Sequence, residues 1–309
     1  MRGQVLDADG LPVEGATVSL GSSLPQTAGA RWLQRLSRRI GRAEADPQTT
    51  GVDGMFTLTE VPTGVQLVRV EHPWYFHRIV RLDLPEESAT DTAVSVKLLR
   101  KGEAITFLAE EGALLQSGRL RVSIPAGALV AYNRPARGEV TAYIREIPPD
   151  ATETGPGPLI GRSADGSADF PLVSFGMAQI ELSQGDTQLN LADGQTASLE
   201  LELSATPAGA LSGPEASIPM WHYDETAGVW QEDLEALGRY LPPMSVGGSY
   251  TLRAEVPHFS TWNWDSYWWQ YGNCARGVVV RPAAPSGSPA TSGSATMPSA
   301  PPRARSSGT

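Results

Sequence analysis

Apolar side chains recur at every second position in four separate stretches of this chain. They are Val94, Val96 and Leu98; Leu120, Val122 and Ile124; Leu199, Leu201 and Leu203; and Tyr250, Leu252, Ala254 and Val256. Successive side chains of an extended strand point to opposite faces, so this spacing gives each stretch one apolar and one polar face. Such strands belong in antiparallel sheets that cover a core on one side and meet water on the other. Asp9-Gly10, Asp53-Gly54, Asp165-Gly166, Asp193-Gly194 and Gly247-Gly248 punctuate the alternation, and pairs of this kind supply turns. With 32 glycines and 25 prolines in 309 residues, the chain suits a turn-dense β-sandwich better than a helical fold.

The length corresponds to about two domains, and the pattern predicts an all-β protein of two consecutive antiparallel β-sandwich domains, residues 1–99 and 103–270. Three segments break the pattern. Residues 22–48 form an insertion in which Trp32, Leu33, Leu36 and Ile40 recur at helical spacing. A short helix is predicted there, and Arg31, Arg35, Arg38, Arg39 and Arg42 offer a candidate contact surface for an acidic partner or anionic lipid. Residues 148–170, rich in Pro, Gly and Asp, read as a loop. Residues 275–309 hold too little apolar surface to offset ordering entropy and read as a disordered tail.

Charge and cysteine content narrow the function classes. A net charge of −10 lacks the basic footprint of a nucleic-acid-binding protein. Cys274 is the one cysteine, so no disulfide forms within the chain. No apolar run reaches the roughly 18 residues of a membrane-spanning helix, so no transmembrane segment is predicted. The opening "MRGQVLDADG" lacks the charged-then-apolar pattern of a signal peptide.

Residues 1–99 carry a series of short motifs: Gly3-x-Val5, Asp9-Gly10-x-Pro12, Gly15-Ala16-x-Val18, Thr50, Asp53-Gly54-x-Phe56 and Val61-Pro62-x-Gly64. In this order they resemble the carboxypeptidase regulatory-like domain, a transthyretin-like β-sandwich. Gly10 and Gly54 suit turn positions with positive φ, Gly15-Ala16 suits close strand approach, and Phe56 and Leu58 are expected inside. The insertion at 22–48 departs from the family, which passes here in a short loop. Residues 103–268 resemble the β-rich region that follows such a module in cartilage intermediate layer protein and related bacterial envelope proteins. The matching pieces are Ile124-Pro125-x-Gly127-Ala128-Leu129 and the hairpin Trp221-x-Tyr223-Asp224-x-x-x-Gly228-x-Trp230. Together the resemblances imply a non-catalytic structural or adhesion module of a cell-envelope or secreted protein, with a carbohydrate-binding-like fold. On that reading the first strand begins at residue 2, leaving no room for a leader, and the chain is expected to be a fragment or to have a misplaced start.

The sharpest enzymatic alternative is a zinc peptidase. His222-x-x-Glu225 has the spacing of a zinc-binding motif, and His258 could add a third ligand. In a strand, however, His222 and Glu225 fall on opposite faces, and Asp224 through Gly228 read as a turn. His72 and His77 read as ordinary surface histidines. Asp7, Asp9 and Asp53 read as turn formers rather than calcium ligands. Lys97 and Lys101, the only lysines, both lie at the end of the first domain, away from the opening strand where isopeptide self-cross-linking draws its amine. No serine-hydrolase, nucleotide-binding or thiol-redox signature occurs. No catalytic residue, metal ligand or cofactor is therefore assigned.

The stretch "HFSTWNWDSYWW" (258–269) bears on the alternative reading, a carbohydrate-binding module with exposed aromatics. Trp262 and Trp264 share parity and are expected in the core, with Thr261, Asn263 and Asp265 on a polar face. The strand is expected to continue "YTLRAEVPH" after an edge or bulge at Pro257. Tyr267, Trp268 and Trp269 lose the alternation and become the candidate ligand-binding surface, for a glycan or an envelope protein.

Overall fold

The computed structural model describes residues 1–20, 46–59, 61–84, 93–203, 217–243 and 248–267. The predicted helix of the insertion, its five arginines, Cys274 and the tail lie outside these residues. Among the described residues the protein is all-β, with one 3₁₀ turn at Thr152–Thr154 and no α-helix.

Seven strands precede residue 99: β1 (Arg2–Asp7), β2 (Thr17–Leu20), β3 (Gln48–Thr49), β4 (Met55–Thr57), β5 (Gly64–His72), β6 (Tyr75–Leu84) and β7 (Ala93–Leu98). They form two sheets, β4-β1-β7 and β3-β2-β5-β6. Pairing is antiparallel except between β1 and β7, which run parallel. Val5, Val18, Phe56, Leu58, Val70 and Val96 meet between the sheets in a closed core. The Asp53-Gly54 turn shows why glycine is needed: its φ is +70°, and a Cβ there would stand 2.4 Å from the Val5 carbonyl oxygen. Gly15 differs from expectation. Its φ is +77° and a Cβ would meet open space, so it serves turn conformation and not close strand approach.

Fifteen further strands follow. They are β8 (Ile105–Leu108), β9 (Ala113–Ser117), β10 (Leu120–Ile124), β11 (Leu129–Ala131), β12 (Arg134–Pro135), β13 (Glu139–Ile147), β14 (Ile160–Arg162), β15 (Asp169–Gln184), β16 (Thr187–Gln188) and β17 (Asn190–Leu191). The last five are β18 (Ala197–Glu202), β19 (Ser217–Asp224), β20 (Val229–Leu241), β21 (Thr251–Val256) and β22 (Thr261–Tyr267). One sheet runs β8-β13-β15-β22-β19-β20-β21-β18-β10-β9, and β12-β11-β17 form a small second sheet. Side chains from opposite ends of the long path meet in one core: Leu115 and Val122 with Val140, Ile144 and Ile180. The sheet thus folds over on itself. Two irregularities make this possible, a register shift at Ser174/Gly176 in β15 and another opposite Ile218/Met220 in the β19–β20 hairpin. Such bulges bend a strand and increase its twist.

β22 departs from the expected half-buried strand. It is central, paired with β15 on one side and β19 on the other. Trp262 and Trp264 are fully buried, as predicted, and so are Asn263 and Asp265 on the opposite face. The Ser174 hydroxyl donates to Asn263 Oδ1 at 2.7 Å, and Asn263 Nδ2 donates to Asp265 at 2.6 Å, so the buried polar face is hydrogen-bonded. β21 and β22 are separate strands divided by residues 257–260, and they are not neighbours in the sheet. The segment 148–170 is likewise more than a loop. It contains the 3₁₀ turn and β14, and Thr154 through Gly157 are buried.

The described residues all belong to one compact unit. A third core joins the two sandwiches within it: Phe76, Ile79 and Leu99 from the first pack with Ile147, Met177, Trp221, Tyr223 and Trp230 from the second. Trp221 and Trp230 are fully buried there, on the other side of the sheet from Trp262 and Trp264.

Candidate functional site

The joint between the sandwiches gathers several perturbed ionisable groups, Arg69, His77, Glu181 and Glu225 among them. The β19–β20 turn behaves as its residues predict: Asp224 Oδ1 accepts the backbone N–H groups of Thr226 and Ala227, and Gly228 N–H donates to the Asp224 carbonyl. This turn carries Glu225 away from His222 and against the first sandwich. There Arg69 Nη1 donates to Glu225 at 2.7 Å and His77 Nε2 lies 2.5 Å from its other oxygen. His77 Nδ1 faces Glu181 at 3.7 Å, and Lys101 pairs with Glu181 at 2.6 Å.

Every acid in this chain of charges has a cation. Burial disfavours the charged imidazole of His77, but Glu181 and Glu225 outweigh it and raise the ring to about 8. Burial likewise disfavours the Glu225 carboxylate, yet His77 and Arg69 hold it down at about 2. Glu181 is lowered by His77 and Lys101 against the same opposing effect of burial. His77 is therefore an interface residue bridging two carboxylates, not the ordinary surface histidine expected.

Backbone and side-chain bonds cross the joint beside the charges. Tyr223 Oη donates to the Ile79 carbonyl at 3.1 Å, Ile79 N–H to the Pro156 carbonyl at 2.8 Å, and Arg81 to the Ala227 carbonyl at 3.0 Å. Approach is close enough to require glycine. A Cβ on Gly157 would stand 1.9 Å from Tyr223 Oη, and one on Gly228, where φ is +66°, would stand 2.5 Å from Leu67 Cδ2.

An open cleft of about 440 Å³ lies along this joint, with Tyr75, Tyr143, Lys101, Glu181, Asp186 and Gln188 among its walls. A second, of about 290 Å³, shares Pro73, Lys101 and Tyr143 with it and adds Trp74 and Arg100. Trp74 sits at the tip of the β5–β6 hairpin with 64% of its surface exposed. Its carbonyl accepts the Lys101 N–H at 3.0 Å, which ties the tip to the linker between sandwiches. Trp74 was not expected as an exposed aromatic. The Pro73-Trp74 pair between two strand-like runs was the available signal. Of the aromatics chosen instead, Tyr267 ends β22 with its side chain outside the described residues, and Trp268 and Trp269 lie outside them altogether.

The proposed zinc-peptidase set does not assemble, because Glu225 belongs to the joint. His222 and His258 do come together, and the acid between them is Asp233. Their rings lie 4.9 Å apart, edge to face, and His258 also packs on Trp262 with centroids 4.7 Å apart. Among the described residues this is the one group of three or more side chains arranged to hold a metal ion. His72 instead packs edge to face on Tyr75. Asp7 and Asp53 accept backbone N–H groups within their own turns, as turn formers do.

No family model matches this chain, and no curated protein matches it. Among solved structures, it is similar to one titled as a "putative carbohydrate binding protein" from Bacteroides uniformis, at 9% identity over 83% of this chain and 95% of that one. The TM-score is 0.21, and at that value the likeness bears on neither fold nor function. No helix among the described residues is long and apolar enough to cross a membrane.

Proposed function

We propose that this chain is a non-catalytic structural or adhesion module, of the kind carried by envelope and secreted proteins, in which two β-sandwiches are fused into one stiff body. The observation that supports it most is the joint. A shared apolar core holds Trp221 and Trp230 fully buried, and the polar groups around it bond across from one sandwich to the other. Domains that move relative to one another meet through smaller, more polar surfaces. The Glu181 and Glu225 carboxylates of the joint are each committed to cations, which suits holding two bodies together rather than exchanging protons with a substrate. The motif order of residues 1–99 supports placing the module in the carboxypeptidase regulatory-like class, whose members act as accessory domains. Native-state hydrogen exchange tests the reading. The Ile79 amide, which bonds across the joint, should exchange only through global unfolding. Exchange through a low-energy opening would make the joint a hinge.

A second reading, carbohydrate binding, is favoured by one specific observation: the exposed Trp74 indole beside clefts walled by Tyr75, Tyr143 and several polar side chains. Sugars are recognised by aromatic faces with polar groups at the edge, and this cleft offers both. On a glycan array, binding by the native chain should be lost in Trp74→Ala at unchanged melting temperature. Absence of binding to any glycan would remove this reading and leave the first.

A further inference from the structure

We propose that His222, Asp233 and His258 form a three-ligand site for a first-row divalent transition metal, zinc above all. Three separate pieces of chain build it: His222 from β19, Asp233 from β20 and His258 from the segment between β21 and β22. Asp233 Oδ2 lies 3.3 Å from His222 Nδ1 and 3.7 Å from His258 Nε2, and all three donor atoms lie within 4.8 Å of one another. A tetrahedral zinc with bonds of about 2.0–2.1 Å holds its ligand atoms about 3.3 Å apart. Two edges of the triangle are thus close to bonding size, and the third is no longer than 4.8 Å.

The surroundings fix each ligand for this task. Asp233 stands at the register shift of the hairpin, where its Oδ1 accepts the backbone N–H groups of Glu235 and Ala236 at 2.8 and 3.1 Å. Oδ2 is left to face the two rings. His222 Nδ1 is buried and faces Asp233 Oδ2 at 3.3 Å. The His258 segment is held by the Trp262 indole, which donates to the His258 carbonyl at 2.9 Å, and by Phe259 N–H, which donates to Asn190 Oδ1 at 2.7 Å. Two imidazoles and one carboxylate suit zinc and its neighbours rather than calcium or magnesium, which favour oxygen alone. The side chains keep 25%, 12% and 32% of their surface exposed, so an ion can enter from solvent and water can complete the coordination. Bound there, the metal would pin the β19–β20 hairpin to the segment leading into β22.

Zinc titration of the full chain by calorimetry tests this. One saturable site is expected, with affinity weakened at least about tenfold in His258→Gln and in Asp233→Asn, a loss that even an outer-shell partner of a metal produces. Asn keeps an acceptor for the 235 and 236 amides, so that variant should fold, and circular dichroism checks both. His72→Gln should bind as the native chain does. A readout on the native chain alone needs no variant: on adding zinc, the ring protons of His222 and His258 should shift in NMR spectra while those of His72 stay. No saturable binding, equal binding in the native chain and both variants, or a shift of other histidines instead would overturn the proposal.

Discussion

Trp264 makes the clearest prediction at the scale of single residues. Its indole is fully buried among the side chains of the folded-over sheet, and Nε1 donates to the Arg253 carbonyl at 3.4 Å. Trp264→Ala should cost about 3–5 kcal/mol, the range for large buried aromatics, read as a lower urea midpoint. Gly157→Ala should damage the joint specifically, because the new methyl would need the space of the Tyr223 hydroxyl. A melting temperature unchanged from the native chain would show that the close approach is not real. The parity of Trp262 and Trp264 was legible in the sequence because apolar alternation reports one buried face. Burial of Asn263 and Asp265 was not, since polar side chains satisfied by one another look in sequence like side chains facing water. His222 and His258 were legible as candidates. Asp233 was hidden by the bulge, which sets Met220 opposite Asp233 and Ile218 opposite Gly238, out of step with simple hairpin counting.

At the scale of elements, the joint is where the β19–β20 turn meets β5, β6 and β15, and its charges predict a pH dependence. His77 is raised from 6.5 to about 8, so its contribution is fully present below about pH 6.5 and is lost as pH rises through about 8. Glu225 is lowered from 4.5 to about 2, so its contribution is present above about pH 4.5 and is lost as pH falls through about 2. Stability of the joint should therefore be greatest between about pH 4.5 and 6.5. Both side chains are partly exposed, and solvent and salt screen the pair, so the effect should shrink in high salt. Glu225→Gln should move the NMR titration midpoint of His77 down from about 8 toward the ordinary histidine value. A midpoint left near 8 would mean that Glu225 does not hold the charge. The strands themselves were well marked in the sequence: β7, β10, β18 and β21 bury the side chains that their alternation selects. The turn at 224–228 was marked too. What it touches was not, because a turn's residues specify its shape and say nothing of the surface against which it lands. The same limit hid the role of residues 148–170, whose Pro and Gly content signals irregular backbone whether that backbone is free or packed into a joint.

At the scale of the whole molecule, the two sandwiches should unfold as one. The linker does not separate them: Leu99 is buried in the shared core, and Lys101 is paired with Glu181 across the joint. Differential scanning calorimetry of the full chain tests this most directly. A single transition is expected near neutral pH, with calorimetric and van't Hoff enthalpies equal, as for one cooperative unit. Two resolved transitions, or a van't Hoff enthalpy near half the calorimetric value, would show that the sandwiches are independent beads and contradict it.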